Sequence, residues 1–162
     1  MSSPFTIRPL VPTDADWLKA YMIDLWGAEI VVAHGLTYRP AELPGFVAMQ
    51  GENRVGQITY YIEGANCEIV SLNSELTGLG IGSALIAAVR NIAIQKYCNR
   101  LWLITTNDNL NALKFYQKRG FRIVAVHPGA VDRAREIKPQ IPLIGDDGIP
   151  LHDEIELAMT LL

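Results

Sequence analysis

The stretch that decides the fold is TGLGIGS at residues 77–83, where three alternate glycines join a strand-like run to an apolar helical run. Glycine has no Cβ, so the backbone of such a turn can approach a phosphate closely. The turn also leads into a helix N-terminus, where unpaired N–H groups and the helix dipole favour negative charge. The stretch therefore predicts an anion-binding loop, with a plain strand-to-helix turn packed by glycines as the alternative.

The spacing of the glycines excludes two common phosphate loops. A Walker A loop needs Lys and then Ser or Thr after its last glycine, whereas Ser83 and Ala84 follow here. A dinucleotide fingerprint, G-x-G-x-x-G, needs a third glycine at residue 83 or 85, and neither position holds one. A nucleotide-binding protein of the Rossmann type is therefore disfavoured.

A second segment, NDNLNALKFYQKRGF at residues 107–121, follows the loop after one predicted strand. Together the two segments resemble the GNAT superfamily of acyl-CoA-dependent N-acyltransferases, which pairs a Gln/Arg-x-x-Gly-x-Gly/Ala loop with an Asn-x-x-Ala-x-x-x-Tyr-x-x-x-Gly-Phe helix. The second motif is complete, and the first departs from the family only at Thr77, where the family has Gln or Arg. The opening IRPL at residues 7–10, followed by TDAD at 13–16, is also a common GNAT beginning, so the resemblance covers most of residues 5–126.

The chain has 162 residues, 49% hydrophobic and 19% charged, with a formal net charge of −3. These values predict one globular domain over residues 1–162 and give no basic surface for nucleic acid or an anionic membrane. No apolar run could span a bilayer and no signal-peptide core is present, so we expect a soluble, cytoplasmic protein. Two cysteines and three scattered histidines match no ligand spacing, so we expect no metal site. The oligomeric state stays open, with a homodimer as one alternative.

Hydrophobic periodicity predicts a mixed α/β fold. Strands are expected at 5–9, 46–50, 55–63, 67–73, 101–105, 121–126 and 154–161, and helices from Thr13, after the glycine loop, at 109–118 and around 131–138. Residues 27–44 and 139–150 are expected to be irregular and to form the substrate walls. The strand-helix-strand unit around the second helix favours one parallel pair. We therefore predict a central mixed, mostly antiparallel sheet with helices on both faces, which is also the GNAT-like fold.

The resemblance implies how the chain would hold acetyl-CoA. The strand before the loop would splay from its neighbour, leaving the backbone of Val70, Ser71 and Leu72 to pair with the pantetheine arm. The pyrophosphate would lie in the loop, whose cofactor-binding residues are Thr77, Gly78, Leu79, Gly80, Ile81, Gly82 and Ser83. Asn109 would bond to the pantetheine or pyrophosphate region, and Tyr116 would lie by the sulfur. Because Thr77 is short and uncharged, basic help is expected from Arg119, Lys114 or Lys118.

Direct transfer of an acyl group to an amine needs a positioned acid and base but no enzyme nucleophile, so Cys67 is expected to be dispensable. Tyr116 is the predicted acid for the departing thiolate, with a core aromatic as the alternative. Glu68 is the first choice for the base, and Glu63, Glu29, His34 and Glu154 are rivals. The predicted activity is acetyl transfer to a primary amine of a small molecule or protein, the acidic excess mildly favouring a cationic one. A non-catalytic acyl-CoA-binding module is the alternative.

Overall fold

The computed structural model describes residues 4–161 and contains a large sheet, a small two-stranded sheet and four α-helices. The strands are β1 (Thr6–Pro9), β2 (Val31–Ala33), β3 (Leu36–Tyr38), β4 (Gly45–Gln50), β5 (Asn53–Glu63), β6 (Asn66–Ser74), β7 (Arg100–Thr106), β8 (Arg122–His127) and β9 (Glu154–Thr160). The helices are α1 (Ala15–Trp26), α2 (Ile81–Gln95), α3 (Leu110–Lys118) and α4 (Ala130–Ile137). The prediction of one domain over residues 1–162 reaches beyond the described range at both ends and stays a prediction.

The large sheet has the strand order β1-β4-β5-β6-β7-β9-β8. Its neighbouring strands pair antiparallel except for β6 and β7, which are parallel and joined through α2. The closing strand β9 lies between β7 and β8, beside the strand at 122–127 as predicted. The predicted mixed, mostly antiparallel sheet is therefore confirmed, including its one parallel pair.

Helix α2 covers one face of this sheet. Its buried side chains recur at helical spacing: Ile81, Leu85, Ile86, Val89 and Ala93. They pack into one apolar cluster with inward-facing residues of β4 to β7 and β9. Helix α1 buries Leu18 and Met22 outside this cluster, so helices lie on both faces of the sheet. No helix in the described part of the chain is long and apolar enough to cross a membrane.

Strands β6 and β7 pair only over their first halves. The parallel ladder joins Asn66–Ile69 to Arg100–Leu103 and then stops. At this point β6 also carries a bulge, because Ile69 pairs with Tyr60 and Ser71 with Thr59, which leaves Val70 without a partner on β5. A bulge bends a strand. The second half of β6 therefore follows β5, while β7 stays paired with β9 along its whole length, and a gap opens between them.

Two local predictions at the N-terminal side are wrong. The 27–44 region, expected to be irregular, contains the hairpin β2–β3, whose two-residue turn has positive φ at His34 (41°) and Gly35 (80°). Positive φ at both positions is the signature of the tight turn that matches the twist of paired strands. Helix α1 begins at Ala15 rather than at Thr13, because a short 3₁₀ turn over Pro12–Asp14 precedes it.

Asp14 ties the start of α1 to the sheet. Its side chain is only 1% exposed, and it accepts hydrogen bonds from Arg8 at 2.8 and 3.0 Å, from Arg54 at 2.9 Å and from the Val11 N–H at 2.8 Å. The Arg8 hydrogen bonds, helped by those from Val11 and Arg54, hold the pKa of Asp14 far below its ordinary value despite its burial. A buried carboxylate is stable only with such partners.

We expect Asp14→Asn to lower the free energy of unfolding by about 2–4 kcal/mol at pH 7, because charge-assisted hydrogen bonds to a buried site are lost. The folded pKa is depressed, so this contribution is fully present above the unfolded pKa near ~4 and is lost as pH falls towards the folded pKa. Urea unfolding between pH 7 and pH 2.5 measures both effects. The exposed Asp24→Asn on the same helix is the control, and an equal loss at all pH values would contradict the assignment.

Candidate active site

A cavity of about 340 Å³ occupies the gap between β6 and β7. Residues 70–72 line one side and residues 104–106 the other. Because the outer edges of these two segments pair with β5 and β9, their inner edges keep backbone N–H and C=O groups free. An extended ligand can pair with such edges as an added strand does. The splay expected at Val70, Ser71 and Leu72 is therefore confirmed as geometry.

The glycine loop borders a second cavity, of about 620 Å³. Gly78 and Gly80 adopt positive φ values of 78° and 79°, and a Cβ at these two positions would meet no atom within 4 Å. Gly80 caps α2, whose first intrahelical bond is Ala84 N–H to Gly80 O, so the N–H groups before Ala84 are free to bind an anion. The open backbone and the helix N-terminus fit a phosphate group.

The remaining residues of the loop divide by role. Thr77, Ile81, Gly82 and Ser83 also line the 620 Å³ cavity, whereas the 40%-exposed Leu79 does not. Gly82 is needed for packing, because a Cβ there would lie 2.8 Å from the Phe115 ring. One glycine of the motif therefore allows α2 and α3 to approach each other, and the other two form the open turn.

Tyr116 lies where the two cavities meet and lines both of them. Its ring packs edge-on against Phe115 and Phe121, so Tyr116 also serves as a packed aromatic residue, the alternative given from the sequence. Its hydroxyl has no hydrogen-bond partner among residues 4–161. Burial raises the pKa of Tyr116, with a smaller opposing effect of Arg119. The phenol therefore keeps its proton at neutral pH and is free to donate it into the cavities.

Asn109 has a structural duty that the motif alone does not reveal. It is the N-cap of α3, and its Oδ1 accepts a hydrogen bond from the Ala112 N–H at 3.1 Å. It lines the cavity between the strands and not the one at the glycine loop. Its amide NH₂ group makes no hydrogen bond to another described residue and can donate to a ligand in that cavity.

Arg119 brings a positive charge to the glycine loop in place of the side chain that Thr77 lacks. Its Nε donates to Ser83 Oγ at 2.8 Å, and one terminal nitrogen donates to the Phe115 carbonyl at 2.9 Å. The guanidinium also stacks on the Phe115 ring at 3.5 Å from its centroid. Of the three basic residues expected to help, Arg119 alone lines the 620 Å³ cavity among the described residues.

Glu154, at the start of β9, is the carboxylate that lines the cavity between the strands. It is 3% exposed, and its Oε1 accepts a hydrogen bond from the His34 backbone N–H at 3.0 Å. Ser71 lines the same cavity, but its hydroxyl is bonded to Thr59 and Gln57 beneath the sheet surface. Among these polar groups, Glu154 has the free oxygen that a base requires.

Glu68 lies next to this cavity, in a small polar pocket of about 130 Å³. Tyr38 donates to it at 2.6 Å, and His34 Nε2 lies 2.9 Å from both of its oxygens. Burial raises the pKa of Glu68, and the contacts with Tyr38 and His34 oppose that shift. The structure thus links Glu68 to Glu154 through His34, but it does not bring Glu68 to the cavity between β6 and β7.

The other residues considered for chemistry lie elsewhere. Glu29 pairs with Arg39 at the surface, and Glu63 borders the pocket of Glu68. Cys67 is fully buried in the apolar cluster under α2, and burial raises its pKa to about 12, so the thiol is not a poised nucleophile.

The sequence does not predict the roles of two residues, His34 and Lys138. From the sequence His34 is only a candidate base, but in the structure its backbone N–H contacts Glu154 and its ring contacts Glu68, and both carboxylates are buried. The dipeptide His34-Gly35 between two short β-prone runs was a usable hairpin signal. Lys138 lines the cavity between the strands and is 8% exposed. No local sequence pattern predicts the burial of Lys138, because a lysine at the end of a short amphipathic helix is normally exposed.

The profile of the Acetyltransferase (GNAT) family matches residues 12–121, so the chain belongs to this family. It is 47% identical over 138 residues to the uncharacterized protein YdhI of Bacillus subtilis (strain 168), covering 84% of this chain and 86% of that one.

Two solved structures share the fold. One is an IAA acetyltransferase from Bacillus cereus ATCC 14579, with a TM-score of 0.71 and 23% identity over 97% of this chain and 99% of that one. The other is a GNAT family acetyltransferase from Elizabethkingia anophelis with acetyl-CoA bound, with a TM-score of 0.68 and 24% identity over 99% and 100% of the two chains.

Proposed function

We propose that this protein is an acetyl-CoA-dependent N-acetyltransferase that transfers the acetyl group directly to a primary amine. The observation that carries the proposal is the unpartnered Tyr116 hydroxyl at the junction of an anion-binding cavity and a strand-edge cavity. A phosphate-bearing thioester needs both cavities at once, and the acid belongs where they meet. Family membership and the acetyl-CoA bound to the Elizabethkingia protein support this choice of donor.

Three groups of residues would hold the donor. The free N–H groups at the start of α2, the open turn at Gly78 and Gly80, and the guanidinium of Arg119 would bind the pyrophosphate. The backbone of residues 70–72 would pair with the pantetheine arm. A free N–H near the Val70 bulge would donate to the thioester carbonyl as negative charge develops on its oxygen.

Acetyl-CoA supplies an activated thioester: the amine nitrogen forms a bond to the carbonyl carbon, the carbon–sulfur bond breaks, and an amide and a thiol result. Tyr116 gives its proton to the departing thiolate and regains one from solvent. The phenol is protonated at neutral pH, so it can donate a hydrogen bond to the sulfur as negative charge develops there and holds the proton that the thiolate takes.

The amine must lose a proton before or during transfer, and we assign that proton to Glu154. This carboxylate lines the cavity that holds Tyr116, and the bond from the His34 N–H fixes its orientation. Glu68, the first choice from sequence, is the alternative. The contacts of Glu68 with His34 and Tyr38 favour a positioning role. In that role Glu68 holds the hairpin β2–β3, whose His34 N–H orients Glu154.

The competing function is a non-catalytic module that binds acyl-CoA and transfers nothing. Incubating the protein with acetyl-CoA and a panel of amines, while a thiol reagent reports free coenzyme A, separates the two. Amine-dependent thiol release supports the enzyme. Tight coenzyme A binding without release from any amine supports the module.

We expect Gly80→Ala to weaken coenzyme A binding at least about tenfold, because the methyl group occupies the backbone approach at the start of α2. Calorimetry with coenzyme A measures the loss. Gly64→Ala is the matched control, because Gly64 also has positive φ and open space around it, but lies in the β5–β6 turn. Both variants carry the strain of a left-handed residue. An equal effect on binding in both would refute the loop assignment.

Tyr116→Phe should lower kcat on the order of 10²-fold with little change in coenzyme A affinity, because it removes the acid and keeps the packed ring. Single-turnover kinetics isolates the chemical step. Tyr97→Phe, at a 90%-exposed tyrosine, is the control. A wild-type single-turnover rate in Tyr116→Phe would remove this residue from the reaction.

Glu154→Gln should lower kcat on the order of 10²-fold, because it removes the base while its amide oxygen still accepts from the His34 N–H. Glu68→Gln should lower kcat less, because Glu68 lines a separate pocket. Single-turnover rates of both variants, measured at the same pH and amine concentration, provide the comparison. The reverse pattern would transfer the role of base to Glu68.

A further inference from the structure

Lys138 is a buried positive charge at the cavity where the amine would enter. The residue is 8% exposed and follows the last turn of α4. Its Nζ donates one hydrogen bond, at 3.1 Å, to the carbonyl of Ile30. It forms no ion pair with any residue in the described range 4–161. A lysine ammonium has three donors, so two are left unused.

A buried charge without a counter-ion is costly, and proteins normally supply a partner for it. Burial lowers the pKa of Lys138, because removal from water disfavours the charged form of the side chain. An anionic group on a ligand would supply that partner and would restore the charged form. The position of the lysine on the cavity wall makes a ligand the natural source.

The same cavity holds Glu154, and the two side chains do not pair with each other. A base for an amine and a donor for an anion thus line one small space without touching. Apolar side chains also line this cavity, among them Trp26, Val31, Val32 and Ile141. A volume near 340 Å³, which must also hold the end of the pantetheine arm and the acetyl group, leaves room only for a compact acceptor.

We propose that the acceptor is a free α-amino acid with an apolar side chain, whose carboxylate binds Lys138 and whose amine faces Glu154. This inference rests on the proposed acetyltransferase function and narrows it. It replaces the cationic acceptor suggested by the acidic residues of the sequence, because Glu29 is neutralised by Arg39 and Glu68 is already bonded to His34 and Tyr38. The N-terminus of a protein lacks the carboxylate that Lys138 would bind.

The test compares kcat/KM, expressed per concentration of unprotonated amine, for acceptors that share one side chain and differ at the carboxylate: L-leucine, L-leucinamide and 3-methylbutylamine. In the wild-type protein, L-leucine should exceed the other two by about 10- to 100-fold, the range expected of one charge-assisted contact. In Lys138→Met the ratio should fall close to one. Because the ratio is taken within each variant, a loss of overall stability cancels.

Lys138→Gln keeps a donor for the Ile30 carbonyl and removes the charge, so it should show the same collapse of the ratio even if the methionine variant folds poorly. Lys19→Met, at an exposed lysine of α1, is the control and should keep the wild-type ratio. Calorimetry of N-acetyl-L-leucine binding to the protein saturated with coenzyme A gives a second readout that needs no turnover, and Lys138→Gln should weaken it about tenfold or more.

A wild-type ratio near one, or a ratio that survives both Lys138 substitutions, would overturn the inference and leave the acetyltransferase function standing. Thiol release with none of these amines nor with the wider amine panel would overturn the proposed function, and the inference with it.

Discussion

The separation of β6 and β7 beyond the Ile69–Leu103 pair is the constraint on which the rest of the site depends. It arises because β6 bends at the Val70 bulge and continues along β5, while β7 stays paired with β9 along its full length. The cost is a row of unpaired backbone groups in the middle of a sheet. Such groups are tolerated where they border a cavity that water or a ligand can fill. The same bend points the end of β6 towards the glycine loop, so the two cavities share one origin.

A second consequence is that charged groups gather where the sheet opens. Glu154, Glu68 and Lys138 are each more than nine-tenths buried, which is expensive unless hydrogen bonds compensate. The hairpin β2–β3 supplies them to both carboxylates through His34, which adopts a positive φ that few residues with side chains accept. The hydrogen bonds made by this turn and by Tyr38 therefore offset both the positive φ of His34 and the burial of the two acids. Only Lys138 is left with a backbone carbonyl as its single partner.

Features that depend on residues close in sequence can be predicted from the sequence, and features that depend on contacts between distant residues cannot. The strands of the large sheet, the helix after the glycine loop and the parallel pair depend on local periodicity and turn residues, so the sequence predicts them, whereas it does not predict the hairpin β2–β3. The splay itself was foreseen from the family resemblance alone. The setting of Glu154 and Lys138 was not predictable, because their partners His34 and Ile30 lie 120 and 108 residues away. The sequence favours Glu68 as the base because it lies on β6. A local pattern cannot show that His34 and Tyr38 cover its carboxylate.

A residue at the end of α3 supplies the positive charge that Thr77 cannot bring to the glycine loop. Arg119, the residue that follows α3, reaches the loop and is held by Ser83 and by the Phe115 ring and carbonyl. Tyr116 lies three residues earlier, so both side chains project from the same side of α3. A positive charge on the loop would act on the phosphate alone. In the proposed function, a positive charge at the end of α3 would tie the helix that carries Tyr116 to the bound pyrophosphate, so that occupation of the glycine loop would also help to hold the Tyr116 hydroxyl in place.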